Sequence, residues 1–325
     1  MTDRPETTTP DRTRRAPSLG AVGVWSHLDT LGIAGARAYA ARVEALGFGT
    51  LWVPETVGRD PFTSLGLLAG ETSRMALGTS IASIWARDAQ TTRMAAHTLD
   101  EATGGRFVLG LGVSHPHLAE RLRGHVYDRP LAHMRDFLAA YARAIYKGPM
   151  PADGADPPIL LAALREHMLA LAAATTDGAF PYLVTPERVA WIRQHLDGAA
   201  VDRAAATGIP RARPVLAVTM PVVTEVAPET ARATARAYLS TYLRPPAYQA
   251  SWGLQGFGAD DREKPGSDRL VDAMVAWGAM PAIWHRWRAL RDAGADHVAI
   301  IPLSADGTTE DLATLEALAE AGLTS

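Results

Sequence analysis

The 325-residue sequence has no cysteine. Disulfides, thiolate nucleophiles and cysteine-bearing zinc or iron–sulfur sites are thereby excluded. Lysine is almost missing as well: of 32 Lys and Arg residues only Lys147 and Lys264 are lysine. Lys147 lies in the helix exit Tyr146-Lys147-Gly148-Pro149 and Lys264 in a polar loop. Schiff-base aldolases and pyridoxal-phosphate enzymes need a lysine desolvated at the active site, so neither class fits. The Arg-rich, Lys-poor usage is equally accounted for by genomic base composition. No run of about 18 apolar residues occurs, so no membrane span is expected. Charge of one sign is not in excess: the net charge of −3 gives no reason to expect nucleic acid or an anionic membrane as partner. Met1–Pro17 is polar, rich in Thr, Arg and Pro, and lacks the apolar stretch of a signal peptide. The expectation is a disordered tail over residues 1–18 on a cytoplasmic protein.

What is present is a repeating alternation. Short apolar runs at Ala21–Trp25, Thr50–Val53, Ala76–Ala82, Phe107–Gly112, Pro158–Ala162, Gly178–Pro181, Pro214–Val223 and His297–Pro302 read as strands. Helical periodicity fills the intervals, as at Gly32–Leu46, Thr91–Thr103, Leu131–Tyr146, Glu166–Thr175 and Ala279–Ala293. Leu46-Gly47-Phe48-Gly49 and Ala293-Gly294-Ala295-Asp296 each place a glycine after the last helical turn and then a strand. Eight strand–helix units without a glycine fingerprint after the first strand predict an α/β fold, a closed (β/α)8 TIM barrel, over a doubly wound sheet. The near miss Leu109-Gly110-Leu111-Gly112 lies in the fourth strand and lacks the third glycine. The expected organisation is one barrel domain over 19–325. Residues 244–278 break the rhythm between strands seven and eight, and a connection of that length is long for a barrel. Tyr248, Trp252 and Phe257 within it argue against disorder, so it reads as a helical lid or a subunit contact.

Reactive groups in such barrels come from strand C-termini and the loops that follow. This nominates Trp25, Glu55, Ser80–Ser83, Ser114, His115, His117, the joint Leu164–Glu166 and Tyr182. The helix starting near Glu166 offers free N–H groups for a phosphate, or is an ordinary strand-to-helix turn. Glu55, after the apolar strand Leu51-Trp52-Val53, is either a proton donor or acceptor or an ion-pair partner of Arg59 or Arg87. His115-Pro116-His117 has a ligand-like spacing but no carboxylate cluster beside it, and no metal site is expected.

Gly-Val-Trp at 23–25, Ala-Leu-Gly-Phe-Gly-Thr-Leu-Trp-Val-Pro-Glu at 45–55 and Leu-Gly-Thr-Ser-Ile-Ala-Ser at 77–83 together resemble the bacterial luciferase-like superfamily. Gly-Gly-Arg-Phe-Val-Leu-Gly-Leu-Gly-Val-Ser-His at 104–115 and Asp177-Gly178-Ala179 with Tyr182–Glu187 continue the resemblance. It is most similar to the branch that uses the deazaflavin coenzyme F420. The resemblance implies a hydride-transferring oxidoreductase acting on a small organic substrate, with F420 across the strand C-termini, and a homodimer. It implies a cis Ser80–Ile81 peptide behind the deazaflavin ring, and a phosphate site at the backbone of Leu164, Arg165 and Glu166. Trp25, Ser80, Ile81, Ser83, Ser114 and Tyr182 complete the expected cofactor site. His115, with an ordinary pKa near neutrality, and Glu55 are the candidate catalytic residues. Where relatives often have glycine this chain has Leu164-Arg165-Glu166, and the acid–histidine pair found after strand two in some F420 enzymes is Glu55-Thr56 here. The alternatives are an FMN-dependent monooxygenase of the same superfamily and a non-catalytic flavin-binding or structural protein.

Overall fold

Eight parallel staves close on themselves in the computed structural model, which describes residues 14–151, 154–208 and 212–324. The strands are β1 (Val22–Trp25), β2 (Thr50–Val53), β3 (Ala76–Thr79), β4 (Ala82–Ser83), β5 (Phe107–Gly112), β6 (Ile159–Leu161), β7 (Gly178–Ala179), β8 (Val215–Val223), β9 (Ala276–Trp277) and β10 (His297–Pro302). They pair in the order β10-β1-β2-β3-β5-β6-β7-β8, and β10 also pairs with β8, which seals the barrel. The strip β9 is added to the end of β8, with Val222 opposite Ala276. Most strands are buried along their whole length, because helices cover the outside and side chains fill the inside. The apolar runs read from the sequence are these strands.

The stave expected as one strand over Ala76–Ala82 is broken in two. Thr79 turns its hydroxyl onto Gly110, donating to the Gly110 carbonyl at 2.8 Å and accepting from its N–H at 2.9 Å. The chain then bulges through a cis Ser80–Ile81 peptide and resumes at β4, which pairs with the end of β5. The glycines of β5 make room for this. A Cβ on Gly110 would lie 1.9 Å from the Thr79 carbonyl oxygen, and one on Gly112 would meet Ile81 at 2.6 Å. The Leu-Gly-Leu-Gly motif is therefore a close-packing device under the bulge rather than a dinucleotide turn.

The predicted helix ends hold. Helices Ile33–Ala45 and Met280–Asp292 are followed by Gly47 (φ 90°) and Gly294 (φ 106°), the left-handed positions that only glycine takes without strain. Further helices at Pro61–Leu68, Pro186–Thr207 and Pro228–Leu239 each begin with proline in the first turn, where its missing N–H costs nothing. The segment 244–278 carries three short helices, Pro246–Leu254, Ala259–Arg262 and Asp268–Met274, ahead of β9. No helix among the described residues is long and apolar enough to cross a membrane.

Two apolar clusters result. One lies between staves and outer helices. The other fills the barrel, with Trp25, Trp52, Leu160 and Phe180, and continues upward into Tyr248, Trp252, Phe257 and Leu270 of the inserted helices. The insertion is thus packed onto the top of the barrel interior. At the foot, Arg14 pairs with Asp177 and Arg15 with Asp100. The rest of the expected tail, residues 1–13, lies outside the described residues.

Candidate active site

The bulge between β3 and β4 is braced from two sides. The Trp25 indole N–H donates to the Ser80 carbonyl at 2.9 Å. Glu55 takes it from the other side: its N–H donates to the Ile81 carbonyl, and its Oε2 accepts from the Ser83 N–H at 2.8 Å. Both Glu55 oxygens are also engaged by guanidinium groups, Arg87 at 2.8 Å on Oε2 and Arg123 at 3.3 Å on Oε1. Of the two readings left open for Glu55, the geometry favours the ion pair, with Arg87; Arg59 instead donates to the Leu28 and Leu31 carbonyls. Trp25, Glu55, Ser80, Ile81 and Ser83, five of the residues nominated from sequence, come together here.

Above them the mouth is aromatic. Tyr182 packs against Trp25 with ring centroids 5.4 Å apart, and its hydroxyl meets those of Tyr238 and Tyr242, the latter at 3.1 Å. Tyr248 from the inserted helix closes the group, 5.2 Å from Tyr242 and 5.2 Å from His115. Burial pushes the phenols of Tyr182, Tyr238, Tyr242 and Tyr248 up, so all four are neutral hydrogen-bonding groups.

Ser114 takes a left-handed backbone conformation (φ 53°) just after β5, and its carbonyl accepts from the Tyr127 hydroxyl at 3.3 Å. His115 follows. Its Nδ1 is buried without a hydrogen-bond partner. Burial, aided by the neighbouring His117, lowers its pKa to about 4. The expectation of a pKa near neutrality is corrected accordingly: the imidazole is uncharged at pH 7, because the apolar mouth penalises the cation.

Leu164, Arg165 and Glu166 border this cluster, with Leu164 packed against the apolar residues that include Trp25 and Tyr248. They stand at the start of the helix Glu166–Thr175, which has no side-chain cap, at the rim of a cavity of about 860 Å³. The opposite walls are the start of the helix Pro186–Thr207 and the inserted residues Leu254, Gln255, Phe257 and Arg269. Arg188 lies inside, 7% exposed, with Nη2 donating to the Leu164 carbonyl at 2.8 Å and its guanidinium 3.7 Å from the Trp191 ring centroid. Arg188, Arg123 and the tyrosines 238 and 242 were not nominated from sequence. Tyr238 and Tyr242 are spaced one helical turn apart, a signal available in the sequence; nothing local marks Arg188.

The family model for luciferase-like monooxygenases matches residues 18–297. Among curated proteins, one of Mycobacterium tuberculosis named for coenzyme F420-dependent oxidoreductase activity is 33% identical over 185 residues, 48% of this chain and 53% of that protein. The chain thus matches about half the length of that relative. Among solved structures, the F420-dependent tetrahydromethanopterin reductase of Methanopyrus kandleri superposes with a TM-score of 0.71 at 15% identity, over 94% of this chain and 98% of the other. The oxygenating component of the 3,6-diketocamphane monooxygenase of Pseudomonas putida, in complex with FMN, gives 0.71 at 14% identity, over 93% and 97%. These two likenesses show the fold.

Proposed function

Since the chain belongs to the luciferase-like monooxygenase family, we propose that it is an F420-dependent oxidoreductase that moves a hydride between the coenzyme and a small organic substrate in the barrel mouth. The observation that carries this reading is His115: a half-buried, neutral imidazole whose Nδ1 is buried without a partner, packed against Tyr248 of the aromatic mouth. A buried polar atom without a partner calls for an explanation, and at the mouth of a barrel a ligand supplies one. The name of the mycobacterial relative supports F420 as the coenzyme.

When bound, the deazaflavin supplies a ring carbon that gives or takes the hydride. The protein contributes position, dryness and a proton path. Ser80–Ser83 would support the coenzyme ring, and Trp25 and Glu55 hold that bulge in place, with Arg87 and Arg123 fixing Glu55. Glu55 is on this reading a positioning residue. The uncapped helix start at Leu164–Glu166 holds the coenzyme phosphate through backbone N–H groups and the helix dipole. The tyrosine group excludes water and donates hydrogen bonds to substrate oxygen. A neutral His115 accepts the proton of a substrate hydroxyl as the hydride leaves its carbon, so the favoured substrate is an alcohol becoming a carbonyl compound. The protein works in solution with a small-molecule substrate, in the cytoplasm, as a homodimer.

Titration with F420 and, separately, FMN, read by fluorescence quenching, tests the reading, followed by turnover with a panel of alcohols, carbonyls and activated alkenes. F420 binding with turnover is expected. Micromolar FMN binding without an F420 response makes the protein an FMN-dependent enzyme instead, and coenzyme binding without any turnover makes it a binding protein only.

A further inference from the structure

Three arginines are buried among the described residues: Arg93, Arg188 and Arg193. Arg93 is answered by Asp156 at 2.7 Å, and Arg193 by Asp197 and by Asp296 at 3.2 Å. Arg188 has no carboxylate partner: its guanidinium lies over the Trp191 ring and makes one hydrogen bond, to the Leu164 carbonyl, while its Nε, like those of Arg93 and Arg193, has none. A buried cation without a counter-charge is costly, and proteins keep one where a ligand supplies the missing anion. The carboxylates nearest along the cavity wall, Glu166 and Glu187, are exposed at its rim, where water screens them. Arg269, the other cation on the insertion side, is already tied to Asp261 at 2.6 Å and to the Gly256 carbonyl at 3.1 Å.

The cavity also offers an apolar body site. Trp191, Leu254 and Phe257 line it, and Leu254 is 61% exposed at its lip. A volume of about 860 Å³ is far more than a bare ion needs and lies within the range of small-molecule sites. The free helix start at Glu166 occupies one wall; Arg188 comes from the facing helix start at Pro186 and reaches across to the Leu164 carbonyl, so its remaining N–H groups border both.

From this we propose that the Arg188 wall of the cavity binds the oxyanion, phosphate or carboxylate, of an organic substrate whose apolar part lies on Trp191, Leu254 and Phe257. The substrate is thus an anionic compound, and the inserted helices select it. The word substrate rests on the oxidoreductase reading above; the anion site itself does not.

The test is calorimetric titration of the whole protein with inorganic phosphate and with acetate, first free and then saturated with F420, in the wild type, Arg188→Met and Arg188→Lys. Wild-type protein binds the anions in both states. Arg188→Met binds at least tenfold more weakly, and Arg188→Lys falls between. Thermal melts give an independent reading: Arg188→Met melts at or above the wild-type temperature without anion but loses the anion-induced rise. Failure of the wild type to bind either anion overturns the proposal, as does undiminished binding by Arg188→Met. Binding that vanishes on saturation with F420 assigns the site to the coenzyme's own phosphate and overturns it too. Should Arg188→Met not fold, wild-type affinity in Arg188→Lys overturns it by showing that the guanidinium is not the partner. If F420 does not bind, the oxidoreductase reading fails while the titrations of the free protein still judge the anion site.

Discussion

The two ends of the barrel treat buried charge in opposite ways. At the foot, acidic residues stand just before the strands and each meets a cation. Asp156, ahead of β6, holds Arg93 through two hydrogen bonds of 2.9 and 2.7 Å and takes in His97 at 3.2 Å. Asp177, ahead of β7, pairs with Arg14 and also accepts the Ile159 N–H at 2.8 Å. Asp296, ahead of β10, joins Arg193 and accepts the Leu216 N–H at 2.8 Å. At the mouth, Glu55 is similarly clamped, but Arg188 and His115 are buried with no acidic partner. These arginines of the foot each have a carboxylate as counter-charge, whereas Arg188 at the mouth has none. Barrels of this kind divide labour in this way, with stability below and chemistry above.

The largest expected effect lies at the foot. Asp156→Ala leaves the Arg93 guanidinium buried and uncompensated, together with His97, and should cost about 3–5 kcal/mol of stability. Arg188→Met, the removal of a buried cation that has no acidic partner, should change stability by no more than about 1 kcal/mol in either direction. Denaturant melts of both variants at pH 7 measure the contrast. Equal losses would erase the distinction between the two ends. In the wild type, burial alone would raise the Asp156 pKa, but hydrogen bonds from His97 and Arg93 outweigh it and bring it to about 2. The stabilisation from the pair is therefore present above pH 3.8 and is lost as pH falls toward about 2.

Which parts of this were legible in the sequence follows from how local their signals are. Strands such as Thr50–Val53 and Phe107–Gly112 announce themselves by apolar runs, and Gly47 and Gly294 by their place after a helix. The rim residues Trp25, Glu55 and Ser80–Ser83 were legible because strand ends in a barrel converge on one mouth. The charge pairs at the foot were not: Arg93 and Asp156 are 63 residues apart, and Arg14 and Asp177 are 163 apart. No spacing rule joins them before the barrel closes. Arg188 was hidden for the same reason, since its burial depends on the inserted helices folding over it. The break in the stave at Ser80 was hidden because Thr79 and Ser80 sit between apolar residues as they would in an ordinary strand, and the Gly110 that Thr79 bonds is 31 residues away. The His115 pKa was misjudged because burial by Tyr248, a residue 133 positions later in number, is invisible at position 115.

A middle-sized effect comes from a histidine on the inner side of the foot, at the start of β10. His297, fully buried in the barrel, donates from Nδ1 to the Gly20 carbonyl at 2.9 Å and accepts the Trp52 indole N–H on Nε2 at 3.0 Å. Burial lowers its pKa to about 4, against the pull of the Gly20 carbonyl, and Arg291 adds to the lowering. Below pH 6.5 the unfolded chain takes up a proton that the folded chain refuses. Stability is thus whole above pH 6.5 and falls as pH drops toward about 4, by ~3 kcal/mol for this residue. His297→Gln should be less stable at pH 7 but show a flatter loss between pH 6.5 and 4.5. An unchanged slope in that variant would move the acid sensitivity elsewhere, and the comparison of foot with mouth would lose its reference point in the core.

The smallest effect on stability is expected at His115, and it carries the sharpest functional contrast. Its Nδ1 makes no hydrogen bond, so His115→Phe breaks none there and should alter stability at pH 7 by less than about 1 kcal/mol. Turnover should nevertheless fall by about 10²–10⁴, the range for losing a general base. F420 affinity should stay within about threefold, because on the proposed reading the bulge and the helix start at Glu166 hold the coenzyme, not His115. The pH profile separates a base from a packing residue. With a pKa of about 4 in the free protein, kcat/KM for alcohol oxidation should fall only as pH drops through about 4, and the residual activity of His115→Phe should lack that limb. A profile in which the acid limb survives the substitution would remove His115 from the chemistry. The mouth would then differ from the foot by its bound ligands alone, with the tyrosine hydroxyls as the remaining groups able to handle the proton.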